Sequence, residues 1–350
     1  MYINQYALPF GYTYDEYITK EEFDFITTSV DKEWAMLNAA VLENKTTAIS
    51  HSTPETSSTE LDYKTKCVNK NVTQDGNKFI VTKKNAKVNF YFQPVKNSET
   101  IVSLVNMTYQ GINPYDLYSD NTEVDPLNLY SFEQLNEKKK ERIVNNRKTW
   151  QESSRIYTEF IGYTDNGKQY SNELCFYTKS NSFYLGRGDF DLNLGYTRSG
   201  MKKVTVVFKE RGIYTFDDIK IIAQPMDGYE EKISDITKDT LQNLLIDYNI
   251  ITGSISLTEN KLLCLSMPYA DGWTAYVDGE KSELLKVNGM YCGLMLEKGE
   301  HRIELRYQTP GLKIGAVISF VSVVLFVYLL LKEFKNNGSF RFCKKRKNGV

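Results

Sequence analysis

The feature that most constrains the fold is a long apolar run near the C-terminus, LKIGAVISFVSVVLFVYLLL at residues 312–331. After Lys313, no charged side chain occurs until Lys332. As a helix the run would be about 30 Å long, which is the thickness of a bilayer's hydrocarbon core. Its apolar residues cover every face, so it lacks the polar stripe of a helix that packs on a soluble core. The sequence therefore predicts a transmembrane helix, with the lipid bilayer as a partner.

The residues that follow this helix, 332–350, form a strongly basic tail. Seven Lys and Arg side chains stand against one acidic residue, Glu333. The positive-inside rule places such a tail in the cytoplasm, so we expect the bulk of the chain on the outer side of the cell membrane. A tail-anchored protein with a cytosolic bulk is the alternative, although it would carry the basic tail outward.

The N-terminal region lacks the marks of an export signal. The first 30 residues contain neither a basic n-region nor an apolar h-region. A region that is exported without a signal of its own is explained if the chain is the C-terminal part of a longer polytopic protein. The missing N-terminal membrane helices would then be partners of this chain.

Composition narrows the class of protein further. The 43 basic and 44 acidic side chains nearly balance, which gives no reason to expect a nucleic acid partner. The 25 Tyr and 18 Phe residues, with many Thr, Val and Ile, favour strands over packed helices. The five cysteines are widely spaced without a C-x-x-C pair, so we expect no metal site and no cofactor. A Cys264–Cys292 disulfide and two buried free thiols both remain open.

The pattern along the chain predicts a mainly β fold, an antiparallel and jelly-roll-like β-sandwich with a few helices, outside the membrane. A helix is expected from about Asp31, where apolar residues repeat at helical spacing. The predicted segments are an N-terminal segment with a Ser/Thr-rich linker (1–62), a β-rich region (63–310) of two possible sub-domains (63–150 and 151–310), the membrane helix (311–331) and the basic tail (332–350).

Two further helices are predicted inside the β-rich region. Residues 130–152 form a basic helix whose cations are candidates for contact with an anionic surface, either lipid head groups or a phosphate-rich polymer. A solvated helix face is the simpler alternative. These cations are Lys138, Lys139, Lys140, Arg142, Arg147 and Lys148. The second helix is expected over SDITKDTLQNLLIDYN at 234–249, where Leu241, Leu244 and Tyr248 share one helical face.

The stretch DGWTAYVDG at 271–279 predicts a strand that ends in a hairpin turn. Trp273 alternates with Thr274, and Asp278-Gly279 supplies residues that tolerate positive φ. Similar turns at Asn288-Gly289 and Lys298-Gly299 predict a four-stranded meander. Trp273 and Tyr276 are candidates for stacking on a glycan, and a place in the core is the alternative.

Several of these motifs resemble the C-terminal part of the bacterial YfhO-like membrane proteins. The matching stretches are NQYALPFGY, RGDFDLNLGY, GIYTFDDIKI and the long run from MPYADGWTAYVDGEK to KIGAVIS. The resemblance covers residues 1–20 and 155–331 and is weak over 44–150.

The resemblance implies a multi-pass protein of the GT-C glycosyltransferase type, which uses a polyprenyl-phosphate-linked sugar to glycosylate envelope polymers such as lipoteichoic acid. The acidic catalytic residue of such proteins belongs to an N-terminal outer loop, so no catalytic residue is carried over. The chain would be an accessory outer domain plus the last anchor, with the acceptor glycopolymer or the polyprenyl-linked sugar as partner. The alternative is a stand-alone anchored surface protein that binds carbohydrate or protein without catalysis.

Overall fold

The computed structural model describes Asn4 and residues 6–116 and 132–337. Most of the elements are β-strands in antiparallel sheets, followed by a long C-terminal helix. The predicted mainly β fold with a C-terminal apolar helix is confirmed. The helices are α1 (Lys20–Phe25), α2 (Ser29–Asn38), α3 (Glu137–Thr149), α4 (Tyr229–Ile236) and α5 (Leu312–Asn337).

The chain folds into two compact units, and each unit is built from segments that are not contiguous in the sequence. Unit one contains residues up to Glu21, then Ala39–Ser52, and all residues from Ser234. Unit two contains Glu22–Asn38 and Thr53–Ile233. Residues on both sides of position 150 thus lie in the same unit.

The strands of unit one come from both ends of the chain. The N-terminal ones are β1 (Gly11–Tyr14), β2 (Glu16–Thr19), β3 (Ala40–Leu42) and β4 (Ser50–His51). The C-terminal ones are β18 (Gln242–Asp247), β19 (Ile250–Leu257), β20 (Lys261–Pro268), β21 (Trp273–Val277), β22 (Glu280–Ser282), β23 (Leu285–Val287), β24 (Tyr291–Leu296) and β25 (Gly299–Tyr307).

These strands form a sandwich of two sheets. Sheet one has the order β1-β20-β24-β23-β3-β2-β4, and sheet two has the order β18-β19-β25-β21-β22. A common apolar core joins them, with Leu265 and Leu294 from sheet one and Ile255, Ala275 and Leu305 from sheet two. The pairs β2–β3 and β2–β4 are parallel, so sheet one departs from a purely antiparallel pattern.

Unit two contains the strands between them. They are β5 (Thr59–Glu60), β6 (Tyr63–Cys67), β7 (Val72–Asp75), β8 (Lys78–Val81), β9 (Ala86–Phe92), β10 (Ser98–Val105), β11 (Thr108–Gln110), β12 (Arg155–Thr164), β13 (Gln169–Tyr177), β14 (Phe190–Thr197), β15 (Met201–Phe208), β16 (Gly212–Thr215) and β17 (Asp218–Pro225). They form three sheets, ordered β14-β10-β17-β5, β11-β16-β8-β7 and β13-β12-β15-β9-β6. Side chains of all three sheets meet in one core.

Two local predictions are wrong. The helix expected over 234–249 is present only as the end of α4, and the following residues form strand β18 with Leu245 70% exposed. The expected meander is divided between the sheets, because β21, β22 and β25 belong to sheet two whereas β23 and β24 belong to sheet one. Both errors have one reason: local spacing does not reveal which strand satisfies the backbone hydrogen bonds of another.

The predicted membrane helix corresponds to α5. Among the described residues, Leu312–Lys335 is long and apolar enough to cross a bilayer, and its side chains are exposed on all sides. Its 24 residues would span about 36 Å as a straight helix. Most of the basic tail, from residue 338 onward, lies outside the described residues.

Candidate functional site

Sheet two has one face in the core and a second, polar face that is open to solvent. Strand register places Thr252, Glu304 and Tyr276 side by side on neighbouring strands, with Ser254 and Arg302 in the adjacent row. Since side chains alternate across a strand, these residues point away from Ile303 and Leu305 of the core. We call this surface the open face; its members are Thr252, Ser254, Ser256, Thr274, Tyr276, Lys281, Glu300, Arg302, Glu304 and Arg306.

On the open face, the Arg306 guanidinium lies over the ring of Tyr276. The Arg306 guanidinium carbon lies 4.9 Å from the centre of the Tyr276 ring. Its Nε donates a hydrogen bond of 2.6 Å to Oε1 of Glu304. This bond, followed by the charges of Arg306 and Arg302, holds the pKa of Glu304 below its ordinary value. The Glu304 bond uses only Nε–H of the guanidinium, whose two terminal amino groups carry further donors for a hydroxyl or a phosphate oxygen.

A polar groove adjoins the open face and shares Ser254 and Arg302 with it. It has a volume of about 540 Å³ and is lined by Gln242, Asn243, Ser254, Ile255, Ser256, Asp278, Glu300, His301 and Arg302. Hydroxyl, amide, carboxylate and guanidinium groups on these residues supply both donors and acceptors. Such a mixture suits a polyhydroxylated ligand better than an apolar one.

The groove contains a His–Asp pair. Nδ1 of His301 lies 2.8 Å from Oδ2 of Asp278, and Nε2 lies 2.9 Å from the carbonyl oxygen of Glu297. Burial acts to lower the pKa of His301, but the bonds to Asp278 and Glu297 outweigh it and raise the pKa. The backbone N–H of Arg302, and then His301, lower the pKa of Asp278. With both ring nitrogens facing acceptors, His301 has no free nitrogen to act as a general base.

Trp273 and Tyr276 lie on different faces of β21. Trp273 packs against the apolar core, with its ring 5.1 Å from that of Tyr307. Tyr276 lies on the open face under Arg306. Of the two aromatic candidates that the sequence suggested, only Tyr276 lies on the open face.

The basic helix is a surface element of unit two. Helix α3 covers Glu137–Thr149, which is shorter than expected, and has no buried residue. The Asn136 side chain caps it by accepting a bond from the Lys139 N–H. Lys140 pairs with Glu137 at 3.0 Å, and Arg147 pairs with Asp116. The side chains of Lys138, Lys139, Arg142 and Lys148 are exposed.

The cysteines offer no redox or metal centre in the described part of the chain. Cys264 and Cys292 are buried free thiols whose pKa burial raises to about 11. Cys292 pairs with Leu265, so adjacent Cys264 points to the opposite face of sheet one. Within the described ranges, no group of three or more His, Cys, Asp or Glu side chains could hold a metal ion.

The sequence predicts that Arg302, Glu304 and Arg306 share one face of a strand, but it did not identify that face, or His301, as a candidate binding surface. A signal was present, because HRIELRY alternates charged and apolar residues, which indicates a half-solvated strand. The sequence does not reveal that β25 pairs with β21 on one side and β19 on the other. This pairing brings the arginines beside Tyr276 and Ser254.

Comparison with solved structures gives only distant likeness. Two cryo-EM structures of the arabinofuranosyltransferase AftD from Mycobacteria match with 13% and 11% identity, each with a TM-score of 0.18. The matches cover 44% and 64% of this chain and 13% and 21% of the AftD chains. A TM-score this low does not indicate a shared fold.

Sequence comparisons are more informative. The chain is 26% identical over 162 residues to the uncharacterized protein YfhO of Bacillus subtilis (strain 168). That match covers 44% of this chain and 18% of the relative, so it spans less than a fifth of the relative's length. Residues 1–319 match the profile of the family described as bacterial membrane protein YfhO, including the region 44–150 where the resemblance in motifs is weak. The chain therefore belongs to the YfhO family of bacterial membrane proteins.

Proposed function

We propose that this chain is an accessory, extracytoplasmic part of a membrane glycosyltransferase-related protein and that its open face binds the acceptor glycopolymer. The observation that carries the proposal is the Arg306–Tyr276 stack beside a polar groove on one sheet. An aromatic ring offers an apolar face to a sugar, and a guanidinium offers paired donors to hydroxyl or phosphate oxygens.

Chemistry of the surface favours an anionic glycopolymer, such as lipoteichoic acid, over a neutral glycan. Arg302, Arg306 and Lys281 are the three cations on the open face, against two acidic residues, Glu300 and Glu304. Part of the charge of Arg306 is compensated by Glu304. Binding should therefore be strengthened by charge and weakened by salt.

This role does not require catalysis by the open face, since both ring nitrogens of His301 face acceptors. In this proposal the sugar is transferred by a catalytic part in the N-terminal membrane region of the whole protein. Helix α3, with its exposed cations, is a second contact for the polymer or for lipid head groups.

Reading the genomic DNA upstream of Met1 separates this proposal from a stand-alone surface protein. An in-frame continuation encoding apolar helices supports the first, and a stop codon beside a ribosome-binding site supports the second.

The binding site can be tested with the full chain in lipid nanodiscs and purified lipoteichoic acid. We expect Arg306→Ala and Tyr276→Ala each to weaken binding about tenfold, the equivalent of roughly 1.4 kcal/mol. Tyr91→Ala is the matched control, because Tyr91 is an exposed tyrosine on a strand of unit two. Unchanged affinity in both variants, with Tyr91→Ala also unchanged, would exclude the open face as the binding surface.

A further inference from the structure

An apolar hairpin projects from the edge of sheet two. Strand β18 is the edge strand, and it turns into β19 at Tyr248 and Asn249. Its exposed apolar side chains are large: Leu245 is 70%, Ile246 64% and Tyr248 fully exposed. An apolar edge strand in water is a site of aggregation, so natural sheets normally protect such edges with charge or cover. We call residues 244–250 the apolar hairpin.

The position of the apolar hairpin is fixed by Tyr307. The Tyr307 N–H donates a bond of 2.8 Å to the carbonyl oxygen of Asn249, and the Asn249 side chain returns one of 3.2 Å to the Tyr307 carbonyl. Tyr307 is the last residue of β25, and α5 begins at Leu312. Five residues span at most about 18 Å, so the hairpin tip lies close to where the membrane helix begins.

The side chains at this end of the sheet match the composition of a membrane interface. Trp273 and Tyr307 pack together here and are both only half-buried, and Tyr and Trp are enriched at the level of lipid head groups. Arg306 is paired with Ile250, and Lys313 follows at the start of α5, which places cations at the same end. Asp247 lies inside the hairpin, and a carboxylate is tolerated in the hydrated interface but not in the hydrocarbon core.

We propose that the apolar hairpin docks into the interfacial layer of the bilayer that α5 spans. Leu245, Ile246 and Tyr248 then leave water for the boundary between head groups and acyl chains. The hairpin and α5 together form a two-point attachment, which limits the tilt of sheet two on the membrane. We assign lipid as the binding partner of the apolar hairpin because the hairpin and helix α5 extend from the same end of sheet two. This docking does not depend on glycan binding by the open face.

The test places an environment-sensitive NBD fluorophore on the hairpin of the full chain in lipid nanodiscs. Cys67, Cys175 and Cys343 are replaced by Ser, while the buried Cys264 and Cys292 stay. The probe is attached through Tyr248→Cys and, in a second protein, through Leu245→Cys. Thr258→Cys is the matched control, since this exposed residue lies eight positions along from Ile250, about 26 Å away along the sheet.

We expect blue-shifted emission from the probe at positions 248 and 245, and quenching by lipids that carry a doxyl group near the head-group end of the acyl chain. The probe at position 258 should emit as in water and should resist the quencher. Emission as in water at positions 248 and 245 overturns the docking. A blue shift without lipid quenching also overturns it, because a protein surface would then cover the hairpin.

Discussion

Asp278 combines two tasks at one position of the β21–β22 turn. Its φ of 54°, followed by a φ of 87° at Gly279, forms the two-residue turn that Asp-Gly predicts. Its carboxylate accepts bonds from the Arg302 N–H at 2.7 Å and faces the His301 ring. The same residue therefore closes a hairpin and fixes one wall of the groove.

The raised pKa of His301 gives a pH prediction at the residue scale. A raised pKa means that the pair stabilises the fold fully below the ordinary histidine pKa of 6.5, and that this contribution is lost as pH rises through the folded value. For Asp278, whose pKa is lowered, the contribution is lost as pH falls below its ordinary range.

Histidine side-chain NMR titration checks this prediction. Replacing Asp278 with Asn removes the main partner of the ring, so the pKa of His301 should fall relative to the unsubstituted chain. The chain has only two histidines, and His51→Gln assigns the signal of His301. An unchanged pKa in Asp278→Asn would show that the pair does not set the titration.

The buried amine of Lys261 in unit one is paired with two carboxylates. The side chain of Lys261 is 2% exposed, and its Nζ lies 2.5 Å from Asp15 and 3.1 Å from Asp239. Burial disfavours the charged amine, but the two carboxylates raise the pKa of Lys261 above its ordinary value. Because sequence separates these residues widely, only the sandwich brings them together.

At the scale of elements, helix α2 shows how a polar residue organises a loop. Asp31 is buried and accepts bonds from the Ser57 and Ser58 N–H groups at 3.2 and 3.0 Å, from the Ser58 hydroxyl and from Thr28. On the same helix, Val30 packs against Ile101 and Ile222 of the adjacent sheet. The Ser/Thr-rich stretch that sequence reasoning treated as a linker is therefore held against α2 at this point.

Replacing Asp31 with Ala should destabilise unit two by about 2 kcal/mol, because charged hydrogen bonds contribute roughly 1.5–3 kcal/mol each and solvent can reach part of the loop. Amide exchange at Ser57 and Ser58, measured by hydrogen–deuterium exchange mass spectrometry, should become faster. Burial acts to raise the pKa of Asp31 but the hydrogen bonds lower it, so the stabilisation is lost as pH falls below 3.8.

Glu141→Ala is the control for this substitution, since Glu141 is an exposed carboxylate on a helix of the same unit. Its removal should leave exchange at Ser57 and Ser58 unchanged. Equal protection at these amides in Asp31→Ala would mean that the loop is held by other contacts.

Strand β18 shows why an element was assigned to the wrong class. Leu241, Leu244 and Tyr248 fit a helical period, but Asn243 has a φ of 51° and the β18–β19 register shifts between Gln242 and Leu245. The following residues, IITGSISL, form a strand whose free edge takes β18 as its partner. Backbone pairing with β19 outweighed local helix propensity.

At the scale of the whole molecule, the orientation of the chain in the membrane is the property with the widest consequences. The proposed glycan surface requires the β-rich bulk outside the cell and the basic tail inside. Cysteine labelling of intact cells with a membrane-impermeant maleimide tests this arrangement, because Cys67 belongs to the bulk and Cys343 to the tail.

We expect labelling of Cys67 in intact cells and labelling of Cys343 only after the membrane is permeabilised. A Cys67→Ser variant controls for the first signal and a Cys343→Ser variant for the second. Labelling of Cys343 from outside, with Cys67 protected, would reverse the orientation and remove the proposed contact with an external polymer.

The sequence by itself determined the long apolar C-terminal helix, the β-rich class and the Asp278-Gly279 turn. Each of these depends on neighbours within one turn or one strand, where composition and period act directly. Tertiary structure alone decided that Trp273 packs against the core while Tyr276 contacts Arg306, and that Lys261 pairs with Asp15. Those contacts join residues far apart in the chain, and backbone pairing between strands selects them.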